Sequence, residues 1–473
     1  MNIVFILTDT TNRHHLGCYG CKGAVTPNID RLASEGMRFG CSYSSSPVCT
    51  PARGCIFTGV HAPVNGAWYN DATPYSNVRL MGGVFAEAGH RVGYSGKWHL
   101  DGGLYLGYGQ AQGGFPQEWW YDGRNYTDDI GPDMHARWKG FGGLDFEEKL
   151  EQAFEPEDCW AHRVTDRCIR FLETAGDKPF LFVAAFDEPH APFMAPSRYL
   201  EAIEPADFEI RPNVSESLAN KPQHHQFLAA GHENTDADLR RFIRYYAACQ
   251  SFVDHQVGRI VDAVDRLHGE DTVVVFTSDH GEQMGSHGCW GKGYMMYDES
   301  ARTPLIFRGP GVARGVSECP VGQVDLLPTF CQLADVPMPA QVQGRSLRPA
   351  LEDPAARVND AVMMTYTRFG NSGEPRRYPG VDGTELMSKR AQEFFPIRAA
   401  MDGRHKLVVN LFDSDEFYDL QQDPYEMDNR IADPALAGPR DALHDWLLAE
   451  MVQTRDPMRC HGFAQRPWRA QQV

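Results

Sequence analysis

The stretch Cys49-Thr-Pro-Ala-Arg53-Gly sets a thiol and a guanidinium on either side of a proline. Pro51 suits the first turn of a helix, so Cys49 is expected at a helix N-terminus, where unpaired backbone N–H groups and the helix dipole favour an anion. A thiolate there is a nucleophile; a lone cysteine beside a helix cap is otherwise an ordinary buried thiol. Asp9 and Asp279 each follow a short apolar run, and His280 adjoins the second. Carboxylates just past strand ends lie where open α/β sheets bind ligands, and as hard oxygen donors they suit a divalent cation. A single aspartate at such a place is more often a turn residue, so the pattern carries weight only through its neighbours. Lys97, His99, His190 and Lys292 stand in further short motifs that offer cations and proton-transfer groups. Cys18 and Cys21 have zinc-like local spacing, but no second Cys or His pair follows at a zinc-ribbon distance.

These residues belong to an ordered series of blocks. The series runs through Leu16-Gly-Cys-Tyr-Gly20, Thr26-Pro-Asn-Ile-Asp30-Arg-Leu, the Cys49 motif, Gly96-Lys-Trp-His99-Leu and Asp187-Glu-Pro-His190-Ala-Pro-Phe193. It continues through Thr277-Ser-Asp-His280-Gly-Glu and Trp290-Gly-Lys292-Gly to Glu416-Phe-Tyr-Asp-Leu420. Together they resemble the type I sulfatases of the alkaline phosphatase superfamily over nearly the whole chain. Within that family the likeness is to a bacterial branch that shares Trp98-His-Leu-Asp101-Gly, Lys221-Pro with His224-His225, and Arg466-Pro-Trp-Arg469.

The resemblance implies that Cys49 is oxidised to formylglycine by a formylglycine-generating or equivalent maturation enzyme. It implies that Asp9, Asp279, His280 and the modified residue 49 hold one divalent metal ion. Lys97 and Lys292 would contact sulfate oxygens, and Arg53 would hold the formylglycine hydrate. His99 would take the proton whose loss releases sulfate, and His190 with Lys292 would protonate or stabilise the departing alkoxide. A chemical reason stands behind this set. A Cys or Ser attacking sulfur directly leaves a stable sulfated side chain, whereas a hydrated aldehyde attacks through one hydroxyl and expels sulfate when the other is deprotonated. A metal lowers the pKa of the attacking hydroxyl and neutralises sulfate charge.

Two positions depart from the commoner pattern: Thr10 stands where many sulfatases have a second acid, and His280 where many have Asn. The site is therefore less anionic, resembling choline sulfatases and formylglycine phosphonate monoester hydrolases. Calcium, manganese and magnesium are all candidates, with the imidazole favouring a nitrogen-tolerant ion such as manganese. The expected activity is hydrolysis of a sulfate monoester on a carbohydrate. The alternatives are a phosphonate monoester or phosphodiester hydrolase on the same scaffold, and a sugar-binding protein that has lost catalysis.

Positioning these groups calls for an α/β fold. The apolar runs 2–7, 92–95, 180–186, 272–278 and 304–307 read as buried strands, and helical periodicity fills 28–37, 160–175 and 239–267 between them. This alternation predicts a large, mostly parallel sheet flanked by helices in a catalytic domain over 1–355. Short strand-like runs at 361–366, 396–401, 406–411 and 416–420, with Asp402-Gly403 as a hairpin turn, predict a small antiparallel sheet in a C-terminal subdomain over 356–473, ending in a helix at 439–452. The stretches 102–143 and 202–238 read as irregular binding loops. Trp119 and Trp120 in the first offer flat faces for a sugar ring, although clustered aromatics are more often core, and Asp101, His224, His225 and Arg466 are further substrate-binding candidates. His14 and His15, near Asp9, fit either the mouth of the site or a solvated loop.

Lys and Arg number 45 against 63 Asp and Glu, a formal charge of −18, with no basic tract, which argues against nucleic acid as a partner. No apolar run near the start is long enough for a membrane span or signal-peptide core. With that, the 12 cysteines read as reduced thiols and the expected setting is cytoplasmic, with homo-oligomerisation open.

Overall fold

The computed structural model describes residues 1–141, 148, 154–230, 235–369 and 394–469. Its strands, in chain order, are β1 (Asn2–Thr8), β2 (Met37–Phe39), β3 (Ser42–Tyr43), β4 (Arg91–Gly96), β5 (Trp120–Tyr121), β6 (Phe180–Ala185), β7 (Thr272–Ser278), β8 (Leu305–Arg308), β9 (Gly315–Ser317) and β10 (Val321–Gly322). Eight of them form one sheet in the order β5-β4-β6-β1-β7-β8-β2-β9. β5, β4, β6, β1 and β7 all run parallel, so their carboxyl ends open on one edge, while β8 pairs antiparallel with β7 and β2. Ile3, Val4, Phe5, Ile6 and Leu7 are all fully buried. Each such side chain contributes about 1.5–3 kcal/mol. That apolar burial offsets the cost of gathering charges at the strand ends.

The helices Trp160–Glu173 and Asp236–His268 pack on one face of the sheet, and Ile56 and Phe57 of α2 (Cys49–Thr58) with Leu327 and Phe330 pack on the other. The helix expected over 28–37 is α1 (Pro27–Glu35), and Met37 belongs instead to β2. Gly36 makes the break: a Cβ there would stand 2.0 Å from the Phe307 carbonyl oxygen, so only glycine lets the chain swing into pairing with β8. The stretch 102–143 is less irregular than expected, holding β5 and the helix Gly123–Phe141, whose periodicity is interrupted at Gly131-Pro132. The second stretch contains the short helix Gln223–Ala229.

The C-terminal strands β11 (Val362–Phe369), β12 (Phe394–Met401), β13 (His405–Asn410) and β14 (Glu416–Asp419) form an antiparallel sheet in that order. Gly403, at φ 102°, makes the turn between β12 and β13, and the helix Ala437–Gln453 covers one face. Arg398 reaches off β12 to Asp456 in a fully buried two-pronged pair at 2.5 and 2.9 Å. Replacing Asp456 by Ala strands that guanidinium and is expected to cost about 3–5 kcal/mol. Urea titration measures it; a midpoint equal to wild type would refute the assignment. No helix among the described residues is long and apolar enough to cross a membrane.

Candidate active site

Four adjacent parallel strands each end in a charged residue aimed at the same edge. β4 leads to Lys97, β6 to Asp187 one residue beyond Phe186, β1 to Asp9 and β7 to Asp279. Gly96 permits the approach, since it has φ 116° and a Cβ there would lie 1.8 Å from the Ala185 carbonyl oxygen. Across from them, Cys49 is the first residue of α2, as the placement of Pro51 implied, and it is buried. Ligand atoms of Asp9, Cys49, Asp279 and His280 all lie within 4.8 Å of one another, and all four residues are buried.

Surrounding contacts orient this set. The Nδ1 of His280 lies 2.8 Å from the Gly281 carbonyl, which can only accept, so Nδ1 carries a hydrogen and Nε2 is the nitrogen turned toward the cluster. That Nε2 stands 3.2 Å from Cys49 Sγ, 3.6 Å from Asp279 Oδ1 and 3.8 Å from Asp9 Oδ1. Backbone N–H groups of His280 and Thr10 donate to Asp279 Oδ1 at 2.8 and 3.3 Å, and the Thr10 hydroxyl donates to Asp9 Oδ1 at 2.6 Å. Thr10 thus supplies a hydrogen bond where a second acid would supply charge.

Cations close the other side. Arg53, fully buried, donates from Nε to Asp279 Oδ2 at 3.0 Å and from a terminal nitrogen to Asp9 Oδ2 at 3.1 Å, and also bonds the Lys97 carbonyl. Lys97 Nζ lies 2.8 Å from Asp9 Oδ2, 3.0 Å from Asp187 Oδ1 and 3.0 Å from the Tyr105 hydroxyl. Lys292 Nζ donates to His190 Nε2 at 2.7 Å, while His190 Nδ1 lies 2.8 Å from the Ala191 carbonyl.

Electrostatics follow from this crowding. Burial pushes the Asp9 carboxyl up, but Lys97, His190 and Arg53 outweigh it and hold it well below its ordinary value. Asp279, pushed by burial and by its neighbour Asp9, rises to about 7. Burial opposes charge on His280, yet Asp279 and Cys49 lift the imidazole to about 9. Burial and Asp9 oppose a thiolate at Cys49, and Lys292, Lys97 and His280 overcome them, so the thiol lies well below its usual value. An anion is therefore favoured at residue 49, at the head of a helix.

His99 follows Lys97 in a left-handed turn at φ 57°, its carbonyl accepting from the Thr50 hydroxyl at 2.8 Å. The structure thus gathers Asp9, Cys49, Asp279, His280, Arg53 and Lys97 in direct contact, sets Lys292 on His190, and ties His99 to the residue after Cys49. Asp187 and Tyr105 were not singled out from sequence. Asp187 opens the motif that ends in His190, so its block was visible; Tyr105, in an irregular loop, gave no signal. Its hydroxyl bridges Lys97, Asp187 and His190, the last at 3.2 Å.

The other candidates are placed elsewhere. Trp120 is buried on β5, stacked on Tyr94 at 5.0 Å and donating to Asp122, and Trp119 packs edge-on against Phe171 under Arg91. The flat faces expected to meet a sugar are spent on packing. His224 bridges Asp413 and the Tyr294 carbonyl, His225 lies against Tyr297, and Arg466 grips Asp415 with two bonds at 2.6 and 2.7 Å. These three tie loops to the C-terminal sheet. Asp101 lies beside His99 in a glycine turn; burial pushes its carboxyl to about 6, and neither oxygen has a hydrogen-bond partner among the described residues. His14 and His15 are half-buried, His15 stacking on Phe208 and edge-on to Tyr246, and desolvation lowers His15 to about 3. Cys18 and Cys21 are free thiols, as are the other ten cysteines.

Residues 1–336 match the family model described as Sulfatase, and residues 285–453 match that of the N-sulphoglucosamine sulphohydrolase C-terminal region. The chain is 39% identical over 472 residues to the uncharacterized sulfatase YidJ of Escherichia coli (strain K12), covering 99% of this chain and 90% of that protein. It is 26% identical over 532 residues to an N-acetylglucosamine-6-O-sulfatase of Bacteroides thetaiotaomicron, covering 96% and 87%. Its fold is similar to that of BT4656 in complex with its substrate D-glucosamine-2-N,6-O-disulfate, with a TM-score of 0.76 at 22% identity over 97% of this chain and 99% of that one.

Proposed function

The chain belongs to the sulfatase family of sulfate-ester hydrolases, and on that premise we propose that it acts on a sulfated sugar, with residue 49 matured to formylglycine and one divalent metal ion held by Asp9, residue 49, Asp279 and His280. The observation that carries the reading is the buried convergence of those four ligand atoms within 4.8 Å, with His280 already oriented by Gly281. The donor set fits a divalent cation: burial and the neighbouring Asp9 raise Asp279 to about 7, and the His280 Nε2 faces Cys49 Sγ and both carboxylates. When bound, the ion supplies Lewis acidity and neutralises sulfate charge.

The chain's own groups divide the remaining work. Lys97 and Lys292 donate to sulfate oxygens, and Arg53 holds Asp9 and Asp279 in place. Lys292 shares a proton with His190 Nε2, so the pair can deliver it to the departing alkoxide. His99 accepts the proton whose loss frees sulfate. The fixed charges Lys97, Lys292 and Arg53 balance Asp9, Asp187 and Asp279, so a divalent ion makes the pocket locally positive although the chain carries −18. A sugar is favoured because the relatives whose names state a substrate include enzymes of sulfated glucosamines.

His99→Ala is expected to allow attack and slow release, so intact-mass spectrometry during turnover should find the chain carrying covalent sulfate. An unmodified mass throughout turnover would refute the role. Thr10 and His280 favour a phosphonate monoester as the competing substrate. Initial rates on matched nitrophenyl sulfate and phenylphosphonate test this: sulfate should win, and a phosphonate preference of orders of magnitude would overturn the reading. A panel of defined sulfated monosaccharides, scored by sulfate release, then identifies the sugar.

A further inference from the structure

The loop after α2 returns to the site at Asn70-Asp71. The Asn70 side-chain oxygen accepts from the Thr50 backbone N–H at 3.1 Å, and the same Thr50 donates through its hydroxyl to the His99 carbonyl at 2.8 Å. The residue beside Cys49 therefore anchors both the loop and His99. Asp71 Oδ1 then stands 3.7 Å from His99 Nε2, with the imidazole only 5% exposed and the carboxylate 60%. Both residues hold left-handed backbone conformations, Asp71 at φ 72° and His99 at φ 57°. Such conformations in non-glycine residues cost energy and persist where surrounding contacts impose them. Here both residues lie next to or at contacts made by one residue of the nucleophile helix, Thr50.

We propose that Asp71 is a positioning residue for His99, fixing its tautomer and holding the imidazolium formed as sulfate departs. The inference rests on the proton-accepting role given to His99 above. With an Nε2–H directed at Asp71, Nδ1 is the basic nitrogen, and that atom is buried with no hydrogen-bond partner among the described residues. In the release step the proton of the second hydroxyl passes to Nδ1 and its O–H electrons close the carbonyl. The bond from carbon to the sulfate oxygen breaks, and sulfate leaves with that pair. His99 gains one positive charge, which the Asp71 carboxylate faces. Separations of this size in a ligand-free site tighten once substrate excludes water.

Asn has nearly the shape of Asp and tolerates the left-handed region, and Gly tolerates it fully, so D71N and D71G change the side chain without forcing the loop to refold. In the matured enzyme both should lower kcat about ten-fold, a fraction of the gain a general base provides. Both should raise the fraction of chain carrying covalent sulfate at steady state, seen by intact-mass spectrometry, with kcat/KM for nitrophenyl sulfate little changed. In a His99→Ala background D71N should add nothing. Wild-type turnover in D71N, or a further multiplicative loss in that background, overturns the proposal while the role of His99 stands. If His99→Ala itself accumulates no sulfated chain, both readings fall, and the two failures are thereby told apart.

Discussion

Replacing Cys49 by Ala is expected to lower turnover by on the order of a thousand-fold or more while leaving the chain folded. The two halves of that expectation come from different facts. The loss follows from position: residue 49 heads a helix, faces His280 at 3.2 Å, and sits where Lys292, Lys97 and His280 favour an anion. No other side chain in the cluster can take over, because Asp9 and Asp279 are committed to Arg53 and to backbone donors. The retention follows from size. One sulfur is removed from a helix whose other contacts, Ile56 and Phe57 against Leu327 and Phe330, are untouched, so the cost is about 1 kcal/mol. Rates on nitrophenyl sulfate, a thermal unfolding midpoint and metal content by elemental analysis check it together. Asp9, Asp279 and His280 should still retain a metal ion, more weakly. Activity near wild type in a sequence-verified variant would remove residue 49 from the chemistry.

Much of this site was readable because its two central carboxylates sit immediately past apolar runs. Asp9 after β1 and Asp279 after β7 announce themselves as polar stops on buried strands, and the parallel sheet needs only the alternation of runs and helices. That the two strands are neighbours, with β6 and β4 next in line, is another matter. Strand order is set by long-range crossovers, which local periodicity does not encode, and the convergence was inferred from resemblance. The candidates whose side chains are engaged away from the metal cluster share a feature. Trp119 and Trp120 were read as sugar platforms from their flat faces, but an aromatic pair at a sheet edge gains more by packing on Phe171 and Tyr94. Arg466 and His224 were read as pocket groups from a shared motif, whereas Asp415 and Asp413, their partners, lie some fifty and nearly two hundred residues away in sequence. Sequence shows that a polar residue is present; it does not show which partner already satisfies it. Tyr105 is the converse case, a functional contact made by a loop residue with no pattern around it.

A large stability effect is expected at Arg53. Its guanidinium is the common partner of Asp9 and Asp279, at 3.1 and 3.0 Å, and all three side chains are fully buried. Arg53→Met keeps most of the stem's volume and deletes the charge, leaving the two carboxylates to face each other with Lys97, His190 and His280 to compensate. Breaking a buried pair by removing one partner costs about 3–5 kcal/mol, so the metal-free variant should unfold at a clearly lower temperature than metal-free wild type. A divalent cation supplies the missing charge in the same place, and a ligand that binds only the folded state stabilises it by about 2.7 kcal/mol at one hundred times its dissociation constant. Since the variant site is more anionic, manganese or calcium should raise its midpoint by more than it raises wild type, and chelation should widen the gap between the two proteins. Thermal unfolding in chelator and in excess metal makes the comparison directly. Equal metal responses would mean that the ion binds away from Asp9 and Asp279, and an unchanged metal-free midpoint would mean that Arg53 is not what holds those carboxylates together.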